Sequence, residues 1–340
     1  MPRPLPILDE RPAAARAPAA PPRTARVSLT DRCDLACVYC RPHRHDGYLE
    51  RRLDEAGWRV MIDGLVRAGI RRVRITGGEP LLHPGVVDLV RHLASVRTED
   101  GPLEDIAPTT NATRLAELAV PLAEAGLRRL NVSLDTLDDA RFFRMTRGGR
   151  LAQVLEGLEA ARRAGLGPIK LNTVVVRGEN DDEVESIVRW AWERRMVPRM
   201  LEIMLIGEGA RLADRVVPGA EIRARLAHLV TDDEPAREPG RGPAKYLRAR
   251  HDPSLRVGFI TGTSDTYCKD CDRLRVASDG TLRPCLATND GVSAAHATGA
   301  GAEHVADAVA RAWELKPDGE TWKGCTEDTA ARVSIRAIGG

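Results

Sequence analysis

Between Arg26 and Ile206 short β-rich runs alternate with amphipathic stretches of helical period, and this alternation limits the fold more than any other feature. The first run covers residues 26–30. It is followed by residues 54–68, where Trp58, Met61, Ile62, Leu65 and Val66 recur at helical spacing. Further strands are predicted at 73–76, 106–109, 129–133, 170–176 and 200–206, with helical stretches between them. Six parallel strands joined by right-handed helical crossovers form either an open doubly wound sheet or a curved, incomplete barrel, and periodicity does not choose between them. Both place reactive groups at the C-terminal ends of the strands.

Past residue 218 the alternation fades into a short helix, a loop with Pro239, Gly240, Gly242 and Pro243, and short strands at 255–260, 274–277 and 281–283. Asp279-Gly280 marks a tight turn between the last two, because glycine supplies the positive φ such turns require. The chain thus reads as a leader (1–23), an α/β domain (24–217) and a smaller C-terminal module (218–340). Pro12, Pro18, Pro21 and Pro22 help make the leader too poor in apolar surface to fold independently.

The 51 basic and 49 acidic residues nearly cancel, which leaves no global charge to draw nucleic acid or an anionic membrane. No apolar run has membrane-spanning length and no signal peptide is evident, so a cytoplasmic location is expected. Of the basic residues 46 are Arg and only 5 are Lys, so a lysine at a chosen place is the more informative cation.

Cys33, Cys37 and Cys40 form C-x3-C-x2-C directly after the first strand. A structural zinc site takes four protein ligands, whereas a 4Fe-4S cluster held by three cysteines leaves one iron open. Cys268, Cys271 and Cys285 form a second triplet, C-x2-C-x13-C, and imply a second open cluster. Cys325 either completes a four-ligand site there or is a lone structural thiol. A non-catalytic zinc scaffold is the alternative of a different class.

The first triplet, with Tyr39 just ahead of Cys40, resembles the defining loop of the radical S-adenosylmethionine (SAM) superfamily. Thr76-Gly77-Gly78-Glu79-Pro80 is similar to the motif that receives the amino group of SAM, which implies roles for Gly78 and Glu79. The same resemblance implies SAM contacts at the Tyr39 backbone, at Ser133 in Asn131-Val132-Ser133-Leu134-Asp135, and at Met204 on the sixth strand. Cys271-Asp272-Arg273-Leu274-Arg275 and the terminal Gly339-Gly340 narrow it to the GTP 3′,8-cyclase (MoaA) family of molybdenum-cofactor biosynthesis. Supporting phrases run over 242–246, 257–260 and 282–286.

Membership of that family implies an incomplete (β/α)6-type TIM barrel with a smaller C-terminal module carrying a second cluster. It also implies two 4Fe-4S clusters, SAM, GTP as substrate and an external electron donor, and it allows a homodimer. One cluster passes an electron to SAM, and the resulting 5′-deoxyadenosyl radical takes the ribose 3′ hydrogen so that the ribose attacks guanine C8. Arg26, Arg74, Thr109, Lys170, Arg273 and Arg275 match its GTP-contacting positions, and Arg273, Arg275, Gly339 and Gly340 its catalytic ones, the glycine tail threading into the site. Strand alternation points Arg72 and Arg74 to one face, and likewise Arg273 and Arg275; Arg199 lies beside the sixth strand. The family pattern is departed from at Arg41-Pro42-His43-Arg44-His45, around Met204–Gly209, and at Ala337, where the family has an aromatic residue. These departures keep two alternatives open, a related enzyme acting on another nucleotide and a peptide-modifying radical SAM enzyme.

Overall fold

The computed structural model describes residues 20–41, 48–238, 242–265, 267–268 and 271–317. Strands β1 (Thr24–Ser28), β2 (Arg72–Thr76), β3 (Asp105–Thr110), β4 (Leu130–Ser133), β5 (Ile169–Val174) and β6 (Val197–Leu201) pair in parallel, side by side in sequence order. Between them run α1 (Glu55–Arg67), α2 (Val86–Ser95), α3 (Leu115–Glu124), the consecutive α4 (Asp139–Thr146) and α5 (Leu151–Arg163), and α6 (Val184–Glu193). A doubly wound sheet reverses its strand order at a switch point. This order never reverses, so the right-handed crossovers keep every helix on one side and the sheet curls around its other face. The fold is the incomplete barrel.

Six further strands join this sheet: β7 (Ala236–Arg237), β8 (Lys245–Arg248), β9 (Arg256–Ile260), β10 (Arg273–Val276), β11 (Thr281–Arg283) and β12 (Val292–Ser293). They extend the same sheet at both edges, giving the order β12-β11-β10-β1-β2-β3-β4-β5-β6-β9-β8-β7. Because β9 is parallel to β6 and β10 to β1, the barrel direction continues at each edge before antiparallel strands turn back. The connector 261–272 leaves the C-terminal end of β9 and enters the N-terminal end of β10 on the opposite edge. The chain thus passes from one edge of the sheet to the other, and from the C-terminal ends of the strands to their N-terminal ends.

Alternation along the strands gives the sheet two unlike faces. Outward residues such as Val27, Ile75, Val132, Leu171, Phe259 and Leu274 are buried. Against them packs α1, with Trp58, Met61, Ile62 and Leu65 buried; removing a fully buried Trp costs about 3–5 kcal/mol. Asp54 caps this helix by accepting the Gly57 N–H at 2.8 Å, Glu55 lies in the first turn and Arg67 in the last, so the expected helix is present with its ends one residue inside the expected bounds. The inward face carries Arg26, Arg74, Lys170, Arg199 and Arg275, where a barrel usually packs bulky apolar side chains.

The sixth strand ends at Leu201 rather than Ile206, which puts Met204 in the following loop. The next residue, Glu202, still donates its N–H to Ile260 O at 3.1 Å, while its buried carboxylate accepts N–H groups from Thr263 (2.9 Å), Ser264 (2.8 Å) and Gly219 and so fixes the chain where it leaves the sheet. The expected hairpin is present: Ala277 donates to Thr281 O at 2.8 Å, and Gly280 has φ +84°. Helices α7 (Gly219–Leu226), α8 (Ala295–Ala300) and α9 (Ala302–Glu314) complete the described chain. No helix among the described residues is long and apolar enough to cross a membrane.

Candidate active site

The first cysteine loop hangs from the C-terminal end of β1 and is tied down at several points. Ala36 and Val38 donate backbone N–H groups to the carbonyls of Thr146 (3.1 Å) and Met145 (3.0 Å) at the end of α4. Cys40 and Arg41 both donate to Cys37 O, at 3.0 and 2.8 Å, which closes a tight turn between the second and third thiols. The Tyr39 hydroxyl donates to Asp135 Oδ2 at 2.6 Å, and Val174 N–H fixes the other oxygen at 2.9 Å. Burial pushes the Asp135 carboxyl up to about 6 against these hydrogen bonds. Tyr39 thus anchors the loop by its side chain, leaving its backbone for any ligand contact.

The Gly-Gly-Glu segment clamps the residues just ahead of Cys33. Gly78 and Glu79 donate N–H groups to the carbonyls of Thr30 (2.7 Å) and Arg32 (2.8 Å). A Cβ on Gly78 would overlap the Arg32 carbonyl oxygen and stand 2.9 Å from Asp31 O; one on Gly77, at φ +152°, would overlap Thr30 O. The Glu79 carboxylate turns inward, accepting from Thr110 Oγ1 (2.7 Å), Asn111 N (2.7 Å) and Leu81 N (3.0 Å). Burial raises its pKa to about 7 despite those donors. The glycines therefore bring two strand ends together behind the cysteine loop.

Burial also raises the pKa of Cys33 and Cys37, and each thiol lies in the electrostatic field of Cys40. Buried thiols of this kind are poor nucleophiles but good ligands, since a bound cation deprotonates them outright. Among the described residues no three His, Cys, Asp or Glu side chains close on a single metal ion. Three thiols on one loop fit a cluster that leaves one iron open, whereas a structural zinc site takes four protein ligands.

The second triplet lies at the other end of the barrel. Cys271 lies two residues before β10, whose Arg273 is in register with Thr24 at the start of β1, and Cys285 follows β11 at the same level. The alternation of strands and helices places chemistry at the strands' C-terminal ends; the descending connector instead carries these thiols to the N-terminal end. Cys268, Cys271 and Cys285 line one small cavity together with Met204, Tyr267 and Lys316. The Tyr267 hydroxyl stands 3.8 Å from Met204 Sδ. Burial pushes the Cys271 thiol up, but Arg273 and Lys316 outweigh it and bring it down to about 7.

Between the triplets, cations line the wall. Arg275, Arg26 and Arg74 occupy one register across three adjacent strands, about 4.8 Å apart from strand to strand. Lys170 is in register with Asn131, and Asn131 with Thr109. Asn131 donates to Thr109 Oγ1 at 3.3 Å and accepts from Arg199 Nη2 at 2.8 Å. Burial lowers the pKa of Arg26, Arg275 and Arg199, the last two to about 10. Burial, then Arg199 and Arg129, brings Lys170 down to about 7. Lys170 Nζ lies 3.2 Å from the Tyr246 hydroxyl.

Arg72, although inward-facing, is engaged by Asp272 (2.6 Å) and Glu104 (3.1 Å) at the barrel floor. Arg273 lies over the Tyr267 ring, 4.7 Å from its centroid. Asp105 escapes a reading of the sequence that begins the third strand at Ile106. It binds Arg129 through both oxygens and Arg74 at 2.6 Å. Its place at 105, alternating with 107 and 109 on the face of Thr109, is the signal that marks it. His43, His45, Gly240, Cys325, Ala337, Gly339, Gly340 and most of the leader lie outside the described residues. Two larger hollows, of about 550 and 440 Å³, open at the N-terminal ends of β5 and β6, but no cysteine lines either.

A model of the radical SAM superfamily matches residues 27–191, and one described as molybdenum cofactor synthesis C matches residues 196–322. The GTP 3′,8-cyclase of Pelotomaculum thermopropionicum is 42% identical over 307 residues, covering 86% of this chain and 90% of that protein. The GTP 3′,8-cyclase of Bradyrhizobium diazoefficiens is 40% identical over 303 residues, 86% of each. Among solved structures, Streptococcus suis SuiB bound to S-adenosylmethionine shares the fold with a TM-score of 0.60 at 16% identity, over 81% of this chain and 64% of that longer one. With its two cysteine triplets at opposite ends of a cation-lined barrel, the chain belongs to the GTP 3′,8-cyclase family of radical SAM enzymes.

Proposed function

We propose that this chain converts GTP to 3′,8-cyclo-7,8-dihydro-GTP for molybdopterin biosynthesis, holding the nucleotide across the barrel interior between its two cysteine triplets. The observation that carries the reading is the excess of inward-facing cations. Lys170, Arg199 and Arg275 are buried and Arg26, Arg74 and Arg273 partly so, while Asp105 is already engaged by Arg74 and Arg129. Burial first, and neighbouring cations second, lower the pKa of Lys170 and Arg275, and a triphosphate would offset both.

Two 4Fe-4S clusters and SAM are the cofactors of this family, and the donor sets fit them. When bound, they supply hydrogen abstraction at the ribose from the Cys33, Cys37 and Cys40 end and an open iron for the purine at the Cys268, Cys271 and Cys285 end. The protein's own groups orient the reactants. Gly77 and Gly78 hold the first cysteine loop against the strand end. Ser133 and Met204 face the SAM side in this proposal, Glu79 acts there through the backbone it braces, and Arg26, Arg74, Thr109, Lys170 and Arg275 grip the nucleotide. Arg273 lies between substrate and Cys271. Residues 24–217 then bind SAM, and residues 218–340 bring the second triplet and the Gly339-Gly340 tail to the substrate. An external donor supplies the electrons.

The test is anaerobic incubation of reconstituted protein with SAM, a reductant and one nucleotide at a time. GTP should stimulate 5′-deoxyadenosine formation and yield the cyclised product. Stimulation by another nucleotide, with GTP inert, would overturn the substrate assignment.

A further inference from the structure

Helix α9 ends at Glu314, and two residues later the chain directs Lys316 at the second triplet. Its Nζ donates to Pro284 O at 2.7 Å, Arg273 O at 3.0 Å and Cys271 Sγ at 3.3 Å. An ammonium has three N–H donors, and all three are used. The acceptors come from the two ends of the β10–β11 hairpin, the end of the connector around Cys271 and the chain beside Cys285. Lys316 is the point where they are tied together.

The lysine is delivered by a firmly seated element. Helix α9 packs so closely on α1 that a Cβ on Gly64 would stand 2.5 Å from Val305 Cγ1 and 2.8 Å from Ala302 O. Nζ also lies 4.6 Å from the centroid of the Trp313 ring. A guanidinium spreads its donors in a flat fork, whereas an ammonium aims three at acceptors gathered around one point. This chain uses 46 Arg and only 5 Lys, and one of those lysines stands here. The three thiols are not treated alike. Cys271 receives Lys316 and Arg273, while Cys285 Sγ receives the neutral Ala287 N–H at 3.3 Å.

We infer that Lys316 is a positioning residue for the second iron-sulfur cluster, joining the two halves of its cysteine site and giving the Cys271 sulfur a charge-assisted N–H···S bond that raises the cluster's reduction potential. A cation hydrogen-bonded to a ligand sulfur stabilises the reduced, more negative cluster. The inference rests on reading Cys268, Cys271 and Cys285 as a cluster site.

The experiment uses the full-length protein, reconstituted anaerobically, with Lys316→Met and Lys316→Arg variants. Iron per chain is counted after gel filtration, and each cluster is titrated potentiometrically with detection by electron paramagnetic resonance. Lys316→Met should leave the first cluster unchanged. Its second cluster should be lost on the column, or be retained with a roughly tenfold smaller reduction constant, about 59 mV lower for one electron. Lys316→Arg should recover part of the difference. A second cluster retained in Lys316→Met at the wild-type potential would overturn the inference, as would loss of both clusters together, which would mark a support of the whole fold. A wild-type chain holding only about four irons would instead overturn the two-cluster reading itself.

Discussion

Replacing Gly78 with Ala puts a methyl group where the backbone of another segment already lies. The new Cβ would stand 2.6 Å from the Arg32 carbonyl carbon and 2.9 Å from Asp31 O, and neither neighbour is the free end of a side chain. Relief requires segment 77–79 to part from residues 30–32. That breaks the bonds Gly78 N–Thr30 O and Glu79 N–Arg32 O, each worth about 1 kcal/mol net. Residual overpacking adds about 1–3 kcal/mol, for a total of about 3–5 kcal/mol. The strain falls directly ahead of Cys33, so displacing the cysteine loop is cheaper than unfolding the barrel. Gly78→Ala should therefore keep its far-ultraviolet circular dichroism and its second cluster while losing the irons of the first, and SAM cleavage with them. Gly299→Ala is the control, because beyond its own helix backbone and chain neighbours a methyl group added at this position on α8 would meet no heavy atom within 4 Å. Iron analysis and 5′-deoxyadenosine formation provide the readouts. A Gly78→Ala protein with a full first cluster and normal cleavage would refute the claim that close approach at this glycine holds the loop.

Asp105→Ala strands two guanidinium groups, Arg74 and Arg129, against each other, and should lower urea stability by about 3–5 kcal/mol. Burial alone would raise the Asp105 pKa, but Arg129 and Arg74 hold it below the usual carboxylate range. Its stabilisation is thus present at neutral pH and lost as pH falls through that lowered value, so the gap between wild type and variant should close in acid. Lys170, brought down to about 7 in the free protein, should regain its proton when a triphosphate binds. Binding at pH 8 should take up protons, seen by calorimetry in buffers of different ionisation enthalpy, and affinity should fall as pH rises above about 7. The same lowered value makes the unliganded fold lose stability as pH falls from the ordinary lysine range towards about 7, since the unfolded chain then holds the extra proton. Lys170→Met should abolish the proton uptake.

The local signals are legible in the chain. Helical spacing marks α1 to within a residue at each end, the cysteine spacing marks both triplets, and strand alternation puts Arg72 and Arg74 on one face, as it does Arg273 and Arg275. What stays hidden depends on pairing between distant segments. Whether the sheet curls is settled by strand order, which no single period encodes. The position of the second triplet at the barrel floor follows from β10 pairing with β1, across some 250 residues of chain. The sixth strand stops short of its expected end where the Glu202 carboxylate gathers N–H donors from residues 219, 263 and 264, contacts between segments that no period encodes. Lys316 binds two backbone carbonyls, which leave no mark in a sequence, although the scarcity of lysine points toward it.

The division of labour between the two ends of the barrel is tested most directly by removing one triplet at a time. With Cys268, Cys271 and Cys285 replaced by Ala, the protein should keep about half its iron and still cleave SAM slowly, but form no cyclised nucleotide. With Cys33, Cys37 and Cys40 replaced, cleavage should cease while the other half of the iron remains. Cyclised product from the first variant, or SAM cleavage by the second, would contradict the assignment of radical generation to one end and substrate holding to the other.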